Sequence, residues 1–321
     1  MKKLSLFVAA AAIIALGSGC CNCGKDEAKK AGKPVTFDMT IIETTAAPGT
    51  GVEDPGLTQG LTQFIQQKLP GAVANVQKVD LAVAKTKPEF NGIDMSYMPV
   101  YLIKKTDDMM TVFGQHIQSG YIQAVGNYIV FARQTRQGLF VDKPVQANQL
   151  DLFVMSMCPY GVMAENKIIE AKNKGKFPAD VKVRVRFIVS DSGGGNFQSL
   201  HGQNEVEEDI VQAVIQEKFP AKFWKYLEER NKNISASTWD AAAKKAGIDV
   251  AAVKANRKLG IELLQKDAVL SQQFGVNASP TIVWQGQSVM DFGTLAAKVP
   301  GFEYFGAPAA PGAAPVPQGG C

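Results

Sequence analysis

The strongest constraint on the fold is an order of elements that occurs twice along the chain. Each copy begins with the hydrophobic patterns of a strand, an amphipathic helix and a second strand. These patterns cover residues 35–44, 60–69 and 76–82 in the first copy, and residues 150–155, 159–174 and 181–189 in the second. In both copies a proline then opens a further strand, at residues 100–104 and 281–284. The repeated order predicts two units of one α/β fold.

The two copies differ after their first three elements. In the first copy we predict a short strand at residues 110–113 and a helix at residues 119–133. In the second, a mostly helical stretch of about residues 200–274 precedes the last strand. The sequence therefore predicts a domain at residues 35–145 and a second domain at residues 148–304 that is enlarged by a helical insertion.

The N-terminus has the pattern of an export signal. Two lysines precede an apolar run at residues 4–16, which is too short to span a bilayer, and small residues follow up to Cys20. We predict a lipoprotein-like signal at residues 1–20 with lipidation of Cys20, and simple secretion is the alternative. Residues 21–34 form a tether, and residues 305–321 form a disordered tail rich in alanine, proline and glycine. This places the protein in the cell envelope, as a periplasmic protein anchored by lipid to a membrane.

Of the five cysteines, only Cys158 lies within a segment that is expected to fold. It follows a strand pattern and precedes a helix pattern, and Pro159 suits the first position of that helix. Unpaired N–H groups and the helix dipole favour a thiolate at such a position, where cysteine pKa values fall to roughly 3.5–7.5. The sequence thus predicts a reactive thiol at Cys158, and a buried thiol that has lost its activity is the alternative.

Two motifs resemble the DsbA-like branch of the thioredoxin-fold oxidoreductases. Cys158-Pro159-Tyr160-Gly161 resembles the active-site turn, and Ala278-Ser279-Pro280-Thr281 resembles the loop that carries the cis-proline of that family. Pro280 lies 122 positions after Cys158, which leaves room for the helical domain that the family inserts there. The resemblance implies tandem thioredoxin-like units, catalytic roles for Cys158, Pro159, Tyr160 and Gly161, and substrate binding by Ser279, Pro280 and Thr281.

The chain departs from the family at Gly161, where a second cysteine is usual. A dithiol centre uses its second thiol to release trapped mixed disulfides, and this turn has no second thiol. The resemblance therefore implies thiol–disulfide exchange through one cysteine, acting on exported proteins, peptides or small thiols. Cys321 is a candidate second thiol, as are Cys21, Cys23 and a partner. The corresponding turn of the first copy, residues 44–48, lacks a thiol, and Pro99 is either a second cis-proline or a plain strand-opening proline.

Other function classes have weaker support. Charges are nearly balanced, with 34 Lys and Arg against 30 Asp and Glu, and no basic stripe predicts nucleic-acid binding. A non-catalytic peptide-binding module is the main alternative, and Cu(I) binding by Cys158 with Met155, Met157 and Met163 is a minor one. We predict no cofactor and no metal ligands. His201 is a further candidate site residue, whereas the acidic run 205–209 predicts a helix start with a packing role.

Overall fold

The structure is a computed structural model that describes residues 35–47, 49–133, 137–235 and 238–306. The predicted signal, tether and lipidation site lie outside these residues, as does the predicted tail from residue 307 onwards. Phe305 and Gly306, which the sequence analysis assigns to the tail, lie in a short 3-10 helix, Glu303–Gly306, and Phe305 is buried in a core. Within them, the strands β1 to β13 are Thr36–Glu43, Val73–Asp80, Tyr97–Met98, Val100–Lys104, Gln123–Val125, Tyr128–Phe131, Gly138–Phe140, Gln149–Val154, Lys182–Phe187, Ser190–Asp191, Phe197–Gln198, Thr281–Trp284 and Ser288–Met290. The α-helices α1 to α10 are Pro55–Lys68, Leu81–Ala84, Asp107–Gln118, Pro159–Asn173, Gln203–Lys218, Pro220–Arg230, Asp240–Lys245, Val250–Ala255, Arg257–Phe274 and Phe292–Lys298.

The described residues divide into two compact units. Unit 1 comprises residues 35–43, 53–95 and 99–133, and unit 2 comprises residues 44–52, 96–98 and 137–306, apart from the undescribed positions within these ranges. Unit 2 thus includes two short segments that precede most of it in the sequence. One of these segments forms β3, which pairs with β7.

Unit 2 has a thioredoxin-type sheet with two additional strands. Its strand order is β3-β7-β13-β12-β8-β9, in which β8 and β9 are parallel and every other neighbouring pair is antiparallel. The α-helix α4 connects the parallel pair, and α10 follows the β12–β13 hairpin. The four strands β13-β12-β8-β9, with these helices, form the predicted thioredoxin-like frame.

The strand β8 is buried on both faces, which explains its nearly continuous apolar sequence. Leu150, Leu152 and Val154 point to the main core, whereas Phe153 belongs to a smaller cluster on the other face. Cys158 belongs to that smaller cluster. The end of β8 therefore delivers the cysteine to the side of the sheet opposite to the main core.

The predicted helical insertion is present between β9 and β12. It contains a small β10–β11 hairpin and the helices α5 to α9. The helices α5 and α9 approach closely at Gly260, where an added Cβ would lie 2.7 Å from the carbonyl oxygen and a methyl group of Ile210. Glycine is required at this crossing because any side chain would push the two helices apart.

Unit 1 has a five-stranded sheet of order β2-β1-β4-β6-β5. The strands β1 and β2 are parallel, and β4, β6 and β5 continue the sheet in antiparallel pairs. Alternate residues of β1, namely Phe37, Met39 and Ile41, are buried in a core with Leu61 and Ile65 of α1. The strands β6-β4-β1-β2 have the same order and directions as β13-β12-β8-β9 of unit 2.

Two sequence predictions in unit 1 are wrong. Residues 110–113 belong to the helix α3, because the Thr106 side chain accepts a hydrogen bond from the Met109 amide and so caps a helix there. Residues 119–133, predicted as a helix, contain the β5–β6 hairpin. Its two-residue turn is Gly126-Asn127, with Gly126 at a φ of 51°. A Gly-Asn pair is a hairpin signal, and it outweighs the helical periodicity.

Within the part of the chain that the structure describes, no helix is both long and apolar enough to cross a membrane. The same residues contain no group of three or more His, Cys, Asp or Glu side chains that could hold a metal ion.

Candidate functional site

Cys158 occupies the N-cap position of α4, as the sequence predicts. The strand β8 ends at Val154, and residues 155–157 form a tight turn in which the Cys158 amide donates to the Met155 carbonyl at 3.0 Å. The Cys158 carbonyl then accepts from the Val162 amide at 3.0 Å. No side chain caps the helix at this end. The sulfur of Cys158 lies at this helix start and accepts no hydrogen bond from the first-turn amides.

The Ser279-Pro280 loop lies directly against this turn. Pairing of β12 with β8 aligns Thr281 with Phe153, which brings the loop beside the cysteine. The Ser279 hydroxyl accepts from the Met155 amide at 3.0 Å, and the Cys158 sulfur lies 3.8 Å from the Ser279 carbonyl oxygen. The Thr281 hydroxyl donates to the Ala278 carbonyl at 2.7 Å and closes the loop on itself.

The Ser279–Pro280 bond is cis, and it is the only cis peptide bond among the described residues. The Met98–Pro99 bond is trans. Of the two alternatives for Pro99, the plain strand-opening proline is therefore correct, and unit 1 has no counterpart of the Ser279-Pro280 loop at this position.

The sulfur of Cys158 is fully buried and is disulfide-bonded. It packs in the smaller cluster of unit 2 with Phe153, Met155 and Phe274, and Tyr160 lies at the edge of that cluster. Cys20 and Cys321, like Cys21 and Cys23, lie outside the described residues. The predicted lipidation of Cys20 and the predicted role of Cys321 as a second thiol remain predictions.

Gly161 is buried in the first turn of α4 and faces the loop. A Cβ added at this position would lie 2.6 Å from the Ser279 hydroxyl oxygen, 3.1 Å from the Met155 carbonyl oxygen and 3.2 Å from the Val154 Cβ. Atoms of the loop, the turn and β8 thus fill the space in which a side chain at position 161 would begin.

A buried glutamate of the insertion supports the cysteine turn. The Glu205 carboxylate, at the start of α5, accepts from the Met157 amide at 2.7 Å. It also accepts from the Ser199 hydroxyl, from the His201 amide at 3.2 Å and from His201 Nδ1 at 3.0 Å. The His201 side chain is 30% exposed, so it lies between solvent and the carboxylate that holds the turn. This is the one link between His201 and the cysteine that the described contacts provide.

Two further acids are buried behind the turn. Burial raises the pKa of Asp209 well above its usual value, and the charges of Glu205 and Glu208 raise it further, whereas Ser156 lowers it. Burial also raises the pKa of Glu165 to about 8, against a lowering hydrogen bond from Asn231. Among the described residues, neither oxygen of Asp209 has a hydrogen-bond partner of normal geometry. Glu165 is therefore largely protonated at neutral pH.

Sequence reasoning missed these acids. The pattern predicts only a helix start with a packing role at positions 205–209, whereas the side chains at 205, 208 and 209 are all buried. The sequence does contain a sign that these acids are buried. The opposite side of the same helix carries Val206, Ile210 and Val211, which are apolar and buried too. A helix with apolar residues around most of its circumference leaves no solvent face for an acidic pair.

The methionines near Cys158 do not continue the strand. The strand β8 ends at Val154, so Met155 and Met157, two of the candidate Cu(I) ligands, lie in the turn. Met155 is buried in the cluster around Cys158, as expected for a core methionine.

The chain matches no protein-family model and no curated protein sequence. Similar solved structures include the DsbA disulfide interchange protein of Klebsiella pneumoniae, at 17% identity and a TM-score of 0.36, covering 53% of this chain and 89% of that one. Oxidised BdbD of Bacillus subtilis is 19% identical with a TM-score of 0.36, and the match covers 47% and 81%. The disulfide oxidoreductase DsbA of Proteus mirabilis is 18% identical with a TM-score of 0.35, and the match covers 55% and 92%.

Proposed function

We propose that this protein performs thiol–disulfide exchange through Cys158. One observation carries the proposal: the cysteine stands at the uncapped start of α4, with its sulfur 3.8 Å from the carbonyl oxygen of Ser279 in the facing loop. The helix dipole and the first-turn amides stabilise a thiolate at this position. The disulfide at Cys158 is consistent with a sulfur that exchanges between partners.

The exchange proceeds in two balanced steps. The Cys158 thiolate attacks one sulfur of a disulfide R–S–S–R′, forms the mixed disulfide Cys158–S–S–R and releases R′S⁻. A second thiolate then attacks the mixed disulfide and releases the thiolate of Cys158. The second thiolate comes from the substrate itself, from a small thiol, or from Cys21, Cys23 or Cys321. When the substrate supplies it, the result is isomerisation without net oxidation.

The surrounding residues have distinct roles in this proposal. Pro159 leaves the helix start without an amide that would need a partner, and Tyr160 packs against the cluster that contains Cys158. Glu205 fixes the turn through the Met157 amide. Ser279, Pro280 and Thr281 present the backbone against which an extended substrate peptide would pair, so thiol-containing exported proteins or peptides are the proposed partners.

We place this activity in the cell envelope, with the chain attached to a membrane through lipidated Cys20. The export pattern of residues 1–20 supports this location. Incorporation of a labelled fatty acid tests it: replacement of Cys20 by serine should abolish incorporation, whereas the same replacement of neighbouring Cys21 should leave it intact. Incorporation that survives Cys20→Ser would exclude the anchor.

The exchange itself is tested in a chain with Cys20, Cys21, Cys23 and Cys321 replaced by serine. After reduction, Cys158 of this protein should react with oxidised glutathione to form a mixed disulfide and one glutathione thiolate, and an excess of reduced glutathione should release the protein thiol together with oxidised glutathione. Intact mass and peptide mapping measure both steps. Cys158→Ser in the same background should form no adduct while keeping the native circular dichroism spectrum.

Complete burial of Cys158 favours one alternative, a non-catalytic module that binds peptides at the Ser279-Pro280 loop. Such a module would bind an extended peptide equally well with Cys158 or with serine at that position. A folded protein that forms no glutathione adduct but keeps peptide binding would replace the exchange proposal with this one.

A further inference from the structure

The space beside Gly161 is occupied by the facing loop. A Cβ at position 161 would come within 2.6 Å of the Ser279 hydroxyl oxygen, a separation that real Cβ atoms essentially never show. The other neighbours, the Met155 carbonyl oxygen at 3.1 Å and the Val154 Cβ at 3.2 Å, are tight but need to move only by a few tenths of an ångström. One oxygen atom therefore accounts for most of the obstruction.

That oxygen is not free to rotate away. Ser279 is fully buried, and its hydroxyl accepts the hydrogen bond of the buried Met155 amide at 3.0 Å. Rotation of the side chain would leave this amide without its partner, and an unpaired buried N–H group is costly. The hydroxyl is thus held in the position that excludes a side chain at residue 161.

We propose that Ser279 is a specificity-determining residue that restricts the turn to one cysteine. Its hydroxyl occupies the space that a side chain at position 161 would need. The same hydroxyl links the loop to the turn by accepting a hydrogen bond from the Met155 amide. The inference deepens the proposed function, since it explains why the turn itself contains one cysteine and any second thiol comes from elsewhere. Gly161 and Ser279 then form a coupled pair, and a second thiol at position 161 requires a smaller residue at position 279.

The first experiment is a double-mutant cycle in the full chain, measured by tryptophan fluorescence during urea unfolding. The three tryptophans, Trp224, Trp239 and Trp284, all lie in unit 2, so the signal follows the unit that contains the site. Gly161→Ala and Ser279→Ala should each lower the urea midpoint. In the Gly161→Ala background, however, Ser279→Ala should raise it, because the alanine removes the clash.

The control uses Gly293, which is also in the first turn of a helix of unit 2. A Cβ at Gly293 meets its nearest neighbour at 3.4 Å, an ordinary contact. Gly293→Ala and Ser279→Ala should therefore be additive. If Ser279→Ala lowers the midpoint equally in the natural chain and in the Gly161→Ala background, the proposed coupling is absent and the inference fails.

The second experiment measures closure of a disulfide between positions 158 and 161. It uses Gly161→Cys with and without Ser279→Ala, in the background with serine at the four other cysteine positions. Residues three apart on a helix are neighbours, so the two thiols can meet once the Cβ is accommodated. At a fixed glutathione redox ratio, the double variant should favour the closed disulfide over Gly161→Cys alone by on the order of tenfold.

Equal closure in both chains would overturn the proposal. Ser279→Gly, which also removes the hydroxyl, replaces Ser279→Ala if the alanine chain does not fold. These measurements are independent of the glutathione reaction of the natural Cys158-Gly161 turn. Loss of that reaction with intact coupling would refute the exchange function, whereas an intact reaction without coupling would refute only the role of Ser279.

Discussion

The two units have the same four-strand frame but different loops at its ends. In both, a parallel β-α-β pair is followed by antiparallel strands, in the orders β6-β4-β1-β2 and β13-β12-β8-β9. Cys158 follows β8 and the cis-bonded Pro280 precedes β12, whereas Thr44 follows β1 and the trans-bonded Pro99 precedes β4. The frame alone therefore does not provide the candidate site, which depends on a few residues in two loops.

The units also differ in the burial of their ion pairs. Unit 2 buries the Arg230–Glu208 pair, with Nε 2.9 Å from the carboxylate and both side chains at most 6% exposed. Unit 1 has its Lys78–Glu53 pair at the surface, with the lysine 50% exposed and a separation of 2.8 Å. We expect such differences in burial between the units to produce three effects on stability.

The largest effect is expected from breaking the buried pair. Arg230→Met leaves the Glu208 carboxylate buried without its cation and should destabilise unit 2 by about 3–5 kcal/mol. Urea unfolding followed by tryptophan fluorescence measures this change. The matched substitution Lys78→Met in unit 1 should cost less than about 1 kcal/mol by circular dichroism. Similar losses for the two substitutions would contradict the difference in burial.

The second effect concerns pH. The folded-state pKa of Glu165 is raised to about 8 from an ordinary value of 4.5, and that of Asp267 to about 6 from 3.8, in both cases chiefly by burial. A raised pKa means that the folded state binds the proton more tightly. The stabilisation is therefore complete below the unfolded pKa and is lost as the pH rises through the folded value.

The free energy of unfolding of unit 2 should accordingly fall between about pH 5 and about pH 8. Glu165→Gln, which cannot ionise, should flatten this fall, and urea midpoints across that range measure it. In unit 1 the sign is opposite, because a hydrogen bond from Lys78 lowers the pKa of Glu53. That contribution is present above about pH 4.5 and is lost at lower pH. An unchanged pH profile in Glu165→Gln would show that this carboxyl is not the source.

The smallest effect compares two helical glycines. Gly260→Ala in unit 2 should cost about 1–3 kcal/mol, because its Cβ would clash with Ile210 of α5 at 2.7 Å. Gly114→Ala in α3 of unit 1 should stabilise by about 0.5–1 kcal/mol, since a Cβ there meets nothing within 4 Å. Thermal unfolding of both variants checks the two signs, and a loss of stability in Gly114→Ala would contradict this description of α3.

The sequence predicted unit 2 better than unit 1 for physical reasons. The strand β8, the helix α4 and the Ser279-Pro280 loop have strong local patterns, and the structure has each of them. The errors at residues 110–113 and 119–133 came from periodicity in a short, mostly apolar stretch, where capping by Thr106 and the Gly126-Asn127 turn decide the outcome. Local capping and turn chemistry outweigh hydrophobic spacing at such lengths.

The candidate site was predictable only in part. Cys158 and Pro280 could be found because a local motif marks each of them. Glu205 could not, since its contact with the Met157 amide joins positions 48 residues apart and depends on how the insertion packs. The obstruction at Gly161 also arises from a tertiary contact, with a loop more than a hundred residues away.

The pairing of β8 with β12 also determines when the cysteine is protected. Cys158 is synthesised before residues 279–284, which complete its surroundings. Contacts over such a long sequence separation form late in folding, because a large loop must close first. A newly made chain therefore exposes the Cys158 thiol to the surrounding oxidants and thiols during the whole interval before β12 pairs with β8. The progress of folding, as well as the folded structure, therefore determines which thiols and disulfides can react with the Cys158 sulfur.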